Sequence, residues 1–229
     1  MRLLAIETAT EVCSLALWLD GEVRERRYRH PRQHARHLLP SVDALLAEAG
    51  LALASLDALA FGRGPGSFTG VRIAAGVVQG LALGANLPVV PVSTLLALGQ
   101  AALAEGPARP VLAALDARMG EVYFLACRPG AEGLLAPASE EGVYPPERVP
   151  LPPEAGWLAA GSGWEAHAAL RHRAGQRVAR FVEGVVPTAA AVARLAARAY
   201  RQGCRLPPEA AVPVYLRERV ADERARVDG

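Results

Sequence analysis

The sequence predicts a two-lobed α/β protein. Three observations carry this. The first 29 residues read as three strands, 3–6, 13–19 and 22–29, with Asp20-Gly21 as a two-residue hairpin signal between the second and third. Helical and strand patterns then alternate to about residue 104. After a break rich in Pro, Gly and charge at 105–110, strands followed by helices begin again. The expected division is a first lobe at 1–106 and a smaller second lobe at 107–229.

Each element rests on a local pattern. A helix over 33–49 places Leu38, Val42, Leu45, Leu46 and Ala49 at helical spacing, with Pro40 as a kink or break and Gly50 as C-cap. The apolar run 56–61 reads as a buried strand, 71–84 as a small-residue helix, and 87–92 as a strand. A helix over 94–104 is capped by Ser93. In the second lobe, 111–115 and 121–127 read as a hairpin across Asp116 to Gly120, and 128–156 as irregular surface. A strand at 157–160 precedes helices at 164–173 and 188–201, the latter capped by Thr188. An extended piece at 212–216 leads to a charged, solvated tail.

Composition narrows the classes. A chain of 229 residues with 52% hydrophobic and 21% charged residues buries a real core and is not disordered. The net charge of +2 gives no strong nucleic-acid footprint. Cys13, Cys127 and Cys204 are odd in number and far apart, which excludes a disulfide framework or zinc knuckle as the organising device. No signal peptide is evident, and no apolar run of about 18 residues lacks a break or charge, so a cytoplasmic protein without a membrane span is expected.

The run Gly62-Arg63-Gly64-Pro65-Gly66-Ser67-Phe68-Thr69-Gly70-Val71-Arg72 joins a strand to a helix, as phosphate-binding loops do. Yet the chain contains no Lys, and the spacing matches neither the P-loop nor the dinucleotide fingerprint. A nucleophile elbow fails as well, because Pro65 and Thr69 stand where Ser67 would need glycines. Ser67 or Thr69 caps the helix instead. Phe68 is either a core plug or an interface anchor. Gly76, Gly80 and Gly84 form a bare stripe that packs on the lobe's own sheet or on a partner helix. Arg63, Arg72 and Arg118 contact an anion or form ordinary surface ion pairs. His30, His34 and His37 lack a further acidic or His ligand, so a metal site is not expected.

The element order of the first half resembles one lobe of the actin-like ATPase fold of sugar kinases and heat-shock chaperones, here in a degenerate form. More specific segments are Ile6-Glu7-Thr8-Ala9-Thr10, Gly64 to Arg72, Leu115-Asp116-Ala117-Arg118-Met119-Gly120-Glu121-Val122-Tyr123, Pro213-Val214-Tyr215-Leu216-Arg217, and His34 with Leu38-Leu39-Pro40. These resemble the TsaB (YeaZ) family over nearly the whole chain. The resemblance implies a non-catalytic scaffold that binds TsaD, with TsaE, for threonylcarbamoyl transfer to the tRNA adenosine beside the anticodon. It implies contact with tRNA only through that complex, and a homodimer when TsaD is absent.

The catalytic relative's metal-binding His pair would fall at Thr94 and Leu98, and Leu98 cannot ligate a metal. Its glycine-rich substrate turn is replaced by Asp116 to Gly120, and Gly161-Ser162-Gly163 is the only trace of its adenosine loop. Expectation therefore sets no catalytic or metal residue. Residual weak ATP or ADP binding near the partner interface would use Glu7, Thr8 and Thr10, against a reading in which Glu7 and Thr8 satisfy the turn backbone. The partner interface is expected on His34, His37, Leu38, Val42 and Leu45 of the first helix and on Phe68, Val71, Ala74, Ala75 and Val78 of the second, which looks apolar on too many faces to be satisfied within a lobe. Two other classes stay open: an ATP-binding enzyme of the same fold and a metalloprotease-like protein.

Overall fold

A computed structural model describes residues 1–29, 34–103 and 109–217. The first sheet holds β1 (Arg2–Glu7), β2 (Cys13–Leu19), β3 (Glu22–Tyr28), β4 (Ala58–Gly62) and β5 (Val89–Val92), in the order β3-β2-β1-β4-β5. The hairpin strands pair antiparallel, and β1, β4 and β5 pair parallel. Asp20 and Gly21 both take positive φ, as the tight turn between β2 and β3 requires.

The second sheet repeats this plan. It holds β6 (Val111–Asp116), β7 (Val122–Pro129), β8 (Leu135–Pro137), β10 (Trp157–Ala160) and β11 (Val178–Val182), in the order β11-β10-β6-β7-β8, and β9 (Gly142–Tyr144) also pairs with β7. Strands β8, β9 and β11 lie where no strand was expected. The first two are three-residue pieces hung on β7, too short to show a period of two.

The helices are α1 (His34–Glu48), α2 (Phe68–Ala85), α3 (Thr94–Ala101), α4 (Ser162–Ala166), α5 (Ala168–Ala174) and α6 (Ala189–Arg201). The single helix expected at 164–173 is two, broken at His167, whose backbone is extended. Helix α1 runs through Pro40. Ser67, Ser93 and Thr188 cap α2, α3 and α6, each accepting a hydrogen bond from the amide three residues on.

Alternation along the first sheet sets its layers. Leu4, Ile6, Leu15 and Leu17 face α1 and α2, packing with Leu38, Val42, Ala74 and Val78. Leu3, Ala5, Ala16, Ala58 and Ala60 face α6, whose Ala189, Ala193, Ala196 and Ala197 allow close approach. The second sheet packs Trp164 and Leu170 of α4 and α5 on one side and Leu95 and Leu98 of α3 on the other.

Helix α6 thus belongs by packing to the first sheet although it follows the second in the chain. Its first amides donate to Ser14 Oγ at 2.7 Å and Glu25 Oε1 at 2.9 Å. A division at 106/107 by chain position is therefore not a division by packing, because the first core needs residues from beyond it. The boundary residues 104–108 and the tail 218–229 lie outside the described residues, as do His30 and Gln33, where the first helix was expected to begin.

Candidate functional site

The glycine-rich loop leaves β4 and enters α2 while pressed against the turn that follows β1. Hydrogen bonds fix the contact. Ser67 N donates to Ala9 O at 2.8 Å, and Thr8 Oγ1 donates to Gly70 O at 2.7 Å. A Cβ on Gly66 would stand 2.6 Å from both Ala9 Cβ and Ala9 O. One on Gly70 would overlap Thr8 O, and one on Gly62 would overlap the Glu7 carboxylate. These glycines serve close packing of one piece of backbone on another, which is why they lack phosphate-loop spacing. Gly64 adds a positive φ of 97°, and its Cβ would stand 3.0 Å from Val214 O.

Glu7, at the end of β1, is fully buried. Its Oε1 accepts from Ala9 N at 2.7 Å and its Oε2 from Thr94 Oγ1 at 3.1 Å. Thr94 Oγ1 in turn accepts from Gly64 N at 3.2 Å. Burial pushes the Glu7 carboxyl up to about 7, and the hydrogen bonds from Ala9, Thr94 and Thr8 oppose that rise. Burial, with the Glu7 charge adding to it, lifts the Cys13 thiol to about 11. Thr8 is also fully buried, and only Thr10 is partly exposed, accepting from Val12 N at 3.3 Å. As arranged, Glu7 and Thr8 turn their oxygens to the chain's own groups and offer none to a nucleotide. This arrangement fits the reading in which Glu7 and Thr8 satisfy the turn backbone rather than bind a nucleotide.

The other strand end differs. Asp116, closing β6, keeps about a fifth of its side chain exposed and lies 3.3 Å from His167 Nε2. It also accepts from Arg118 N at 3.0 Å. Arg118 and Met119 both take positive φ, so side chains hold a turn that glycines would form without strain. Thr94 and Leu98, where a His pair would stand, are buried, with Leu98 in the core under the second sheet. Among the described residues no three His, Cys, Asp or Glu side chains gather as a metal site requires.

A strap from Ala211 to Arg217 crosses from the first lobe to the second. Ala211 is buried in the core of the first lobe. Val214 N donates to Arg63 O at 2.8 Å. Arg217 pairs with Glu121 and donates to Ala117 O at 3.3 Å. The sequence marks this segment as extended and as one of the family-like motifs, but not as a strap between lobes. Its role depends on contacts about 100 residues away, which no local pattern encodes.

The interface candidates divide sharply. Leu38, Val42, Leu45, Val71, Ala74, Ala75 and Val78 are buried in the lobe's own core. The premise that α2 has too many apolar faces for one lobe is corrected accordingly. One face covers the sheet, and these residues cannot reach a partner. His37 is half-buried, and the His34 side chain lies outside the described residues. Phe68 is 60% exposed, so it is not a core plug.

What α2 shows to solvent is its opposite face. Gly76, Gly80 and Gly84 have nothing within 4 Å of where a Cβ would stand. Phe68 and Leu83 lie exposed near its two ends, while Ile73 and Val77 flank the stripe half-buried against the lobe's own core. By length and composition alone α2 could cross a membrane, a test that core helices of soluble proteins also pass.

The fold and this loop define a two-sheet α/β protein whose lobes repeat one strand plan and in which the first-lobe strand end is filled by its own turn. A family model described as TsaD, tRNA N6-adenosine threonylcarbamoyltransferase, matches residues 29–156. The tRNA threonylcarbamoyladenosine biosynthesis protein TsaB of Escherichia coli (strain K12) is 45% identical over 226 residues, 96% of each chain. That of Haemophilus influenzae is 55% identical over 124 residues, 54% of this chain and 52% of that one. The structure of YeaZ from Pseudomonas aeruginosa superposes with a TM-score of 0.87 at 46% identity, over 94% of this chain and 99% of that one. The chain belongs to the TsaB (YeaZ) family.

Proposed function

We propose that this chain is the non-catalytic partner of a TsaD-type threonylcarbamoyltransferase. It supports, with TsaE and in the cytoplasm, transfer of threonylcarbamoyl to the tRNA adenosine beside the anticodon. Family membership supplies the pathway. The observation that carries the partner role is the outer face of α2, a glycine stripe open to solvent and flanked by exposed Phe68 and Leu83. Apolar surface of this kind on a long helix marks an interaction site, and missing Cβ atoms let a partner helix approach closely. The same face pairs two copies when the transferase is absent.

The test is Gly80→Arg. It puts a long charged side chain on the open stripe without touching the core. The variant is expected to fold, lose the homodimer in sedimentation, fail to co-purify with TsaD and fail to support modification of an unmodified tRNA transcript. Wild-type binding and modification by folded Gly80→Arg would place the interface elsewhere.

A further inference from the structure

The arginines around the motif loops are not equivalent. Arg63 pairs with Glu141 at 2.9 Å, Arg118 with Asp116 at 3.3 Å, and Arg217 with Glu121. Arg72 makes no ion pair among the described residues. Its guanidinium carbon lies 3.3 Å from the Phe68 ring centroid and 5.3 Å from that of Tyr215, and the two rings are 5.9 Å apart. Arg72 and both rings are exposed, the rings by 60% and 47%. A guanidinium stacked over a ring keeps its in-plane N–H fork free, and that fork matches a carboxylate bidentately. The stack also fixes the side chain before binding, so little rotamer freedom remains to be lost. Tyr and Arg are the residue types that concentrate binding energy at protein interfaces.

We infer that Arg72, held by Phe68 and Tyr215, anchors a carboxylate side chain of the protein that docks on the outer face of α2. This rests on the partner role proposed above. The surroundings favour a protein over RNA, because one unpaired cation sits among exposed apolar groups rather than in a basic stripe. They also separate a foreign partner from a second copy. Helix α2 contains no Asp or Glu, so pairing α2 with α2 leaves Arg72 without a counter-charge. Arg72 is therefore a specificity-determining contact that favours the heterologous partner.

The experiment titrates labelled TsaD from the same organism with the wild-type chain, Arg72→Gln, Arg72→Lys and Gly80→Arg, at low and high salt. Homodimerisation is followed by sedimentation, retention of a tRNA transcript by filter binding, and folding by thermal melts. Arg72→Gln is expected to melt as wild type, to bind TsaD at least about tenfold more weakly at low salt, and to narrow that gap at high salt. Arg72→Lys recovers part of the loss, and homodimerisation is unchanged. Wild-type affinity in Arg72→Gln, where Gly80→Arg abolishes binding, would overturn the anchor and leave the partner role standing. So would an equal loss of homodimer, or a loss confined to tRNA retention. Wild-type affinity in Gly80→Arg as well would remove the docking face and the anchor with it.

Discussion

The two lobes share a strand plan and differ at the same point in it. In each, a first strand enters a hairpin and pairs parallel with a strand that runs into a glycine-containing turn and a helix. In the first lobe that strand ends at Glu7, fully buried under the loop from Gly62 to Gly70. In the second it ends at Asp116, still partly open and facing His167. A position that one lobe keeps at the surface has become core in the other. Glycines made this possible by letting backbone settle where a ligand would need room. The helices differ in step. Helix α2 has 18 residues and an open outer face, whereas α4 and α5 have 5 and 7. Sealing of the first strand end and exposure of a long helix occur in the same lobe, so its sequence serves packing inside and association outside.

The sharpest test of this contrast is Gly70→Ala against Gly163→Ala. The first drives a Cβ into the Thr8 carbonyl oxygen, whereas the second places one 2.9 Å from Ala114 Cβ and Val122 Cγ1 and 3.0 Å from Ala114 C, a milder overlap. The deeper overlap should cost about 3 kcal/mol, and the milder one about 1 to 2 kcal/mol. Urea denaturation of the two variants measures the difference. Equal losses would mean that the first-lobe loop is no more tightly seated than its counterpart.

The buried acid gives a pH test nearly as large. The Glu7 carboxyl rises from 4.5 unfolded to about 7 folded. The folded state therefore holds the proton more tightly, and the contribution of Glu7 to stability is greatest below 4.5. It is lost as pH climbs to about 7, for a loss of at most roughly 3 kcal/mol. Glu7→Gln keeps an acceptor for Ala9 N without the charge and should flatten the profile over that window. Asp116→Asn should leave it in place. A wild-type profile without a downward slope between pH 5 and 7 would show that Glu7 is solvated.

Removing the strap's contact with the second lobe should have a smaller effect. Arg217→Ala breaks the pair with Glu121 and the bond to Ala117 O, with an expected loss of about 1 to 2 kcal/mol. Amide exchange should quicken at Val214, whose N–H is held by Arg63 O. Unchanged exchange there would show that the strap is held from the first lobe alone.

Much of this architecture was legible in the sequence because it is written locally. Asp20-Gly21 marks one hairpin, and Ser67, Ser93 and Thr188 mark helix starts. What was not legible depends on distant partners. Helix α6 reads as a second-lobe helix until its alanines are seen to match Ala5, Ala16 and Ala60. The glycines of the loop fail as a phosphate cradle by spacing, but what they do serve is not visible until Thr8 and Ala9 are found against them. The orientation of α2 was misjudged for a related reason. Ala74 and Val78 look as free for a partner as Phe68 and Leu83, because a small-residue helix carries little contrast between its faces.

Gly80→Ala makes that last distinction measurable. Gly80 is helical and exposed, with open space where its Cβ would stand. In the isolated chain, alanine there restricts the unfolded state and favours the helix, for a gain of about 0.5 to 1 kcal/mol. If a partner helix closes on the stripe, the same methyl stands in its path, so binding to TsaD should weaken while the melting temperature rises. Gly21→Ala, at a turn with φ of 111°, lacks that compensation and should simply destabilise. Opposite signs for stability and association in Gly80→Ala would identify a glycine retained for contact rather than for folding. A rise in both would mean that the stripe faces solvent in the assembly, and that α2 meets its partner through its end at Phe68 and Arg72 alone.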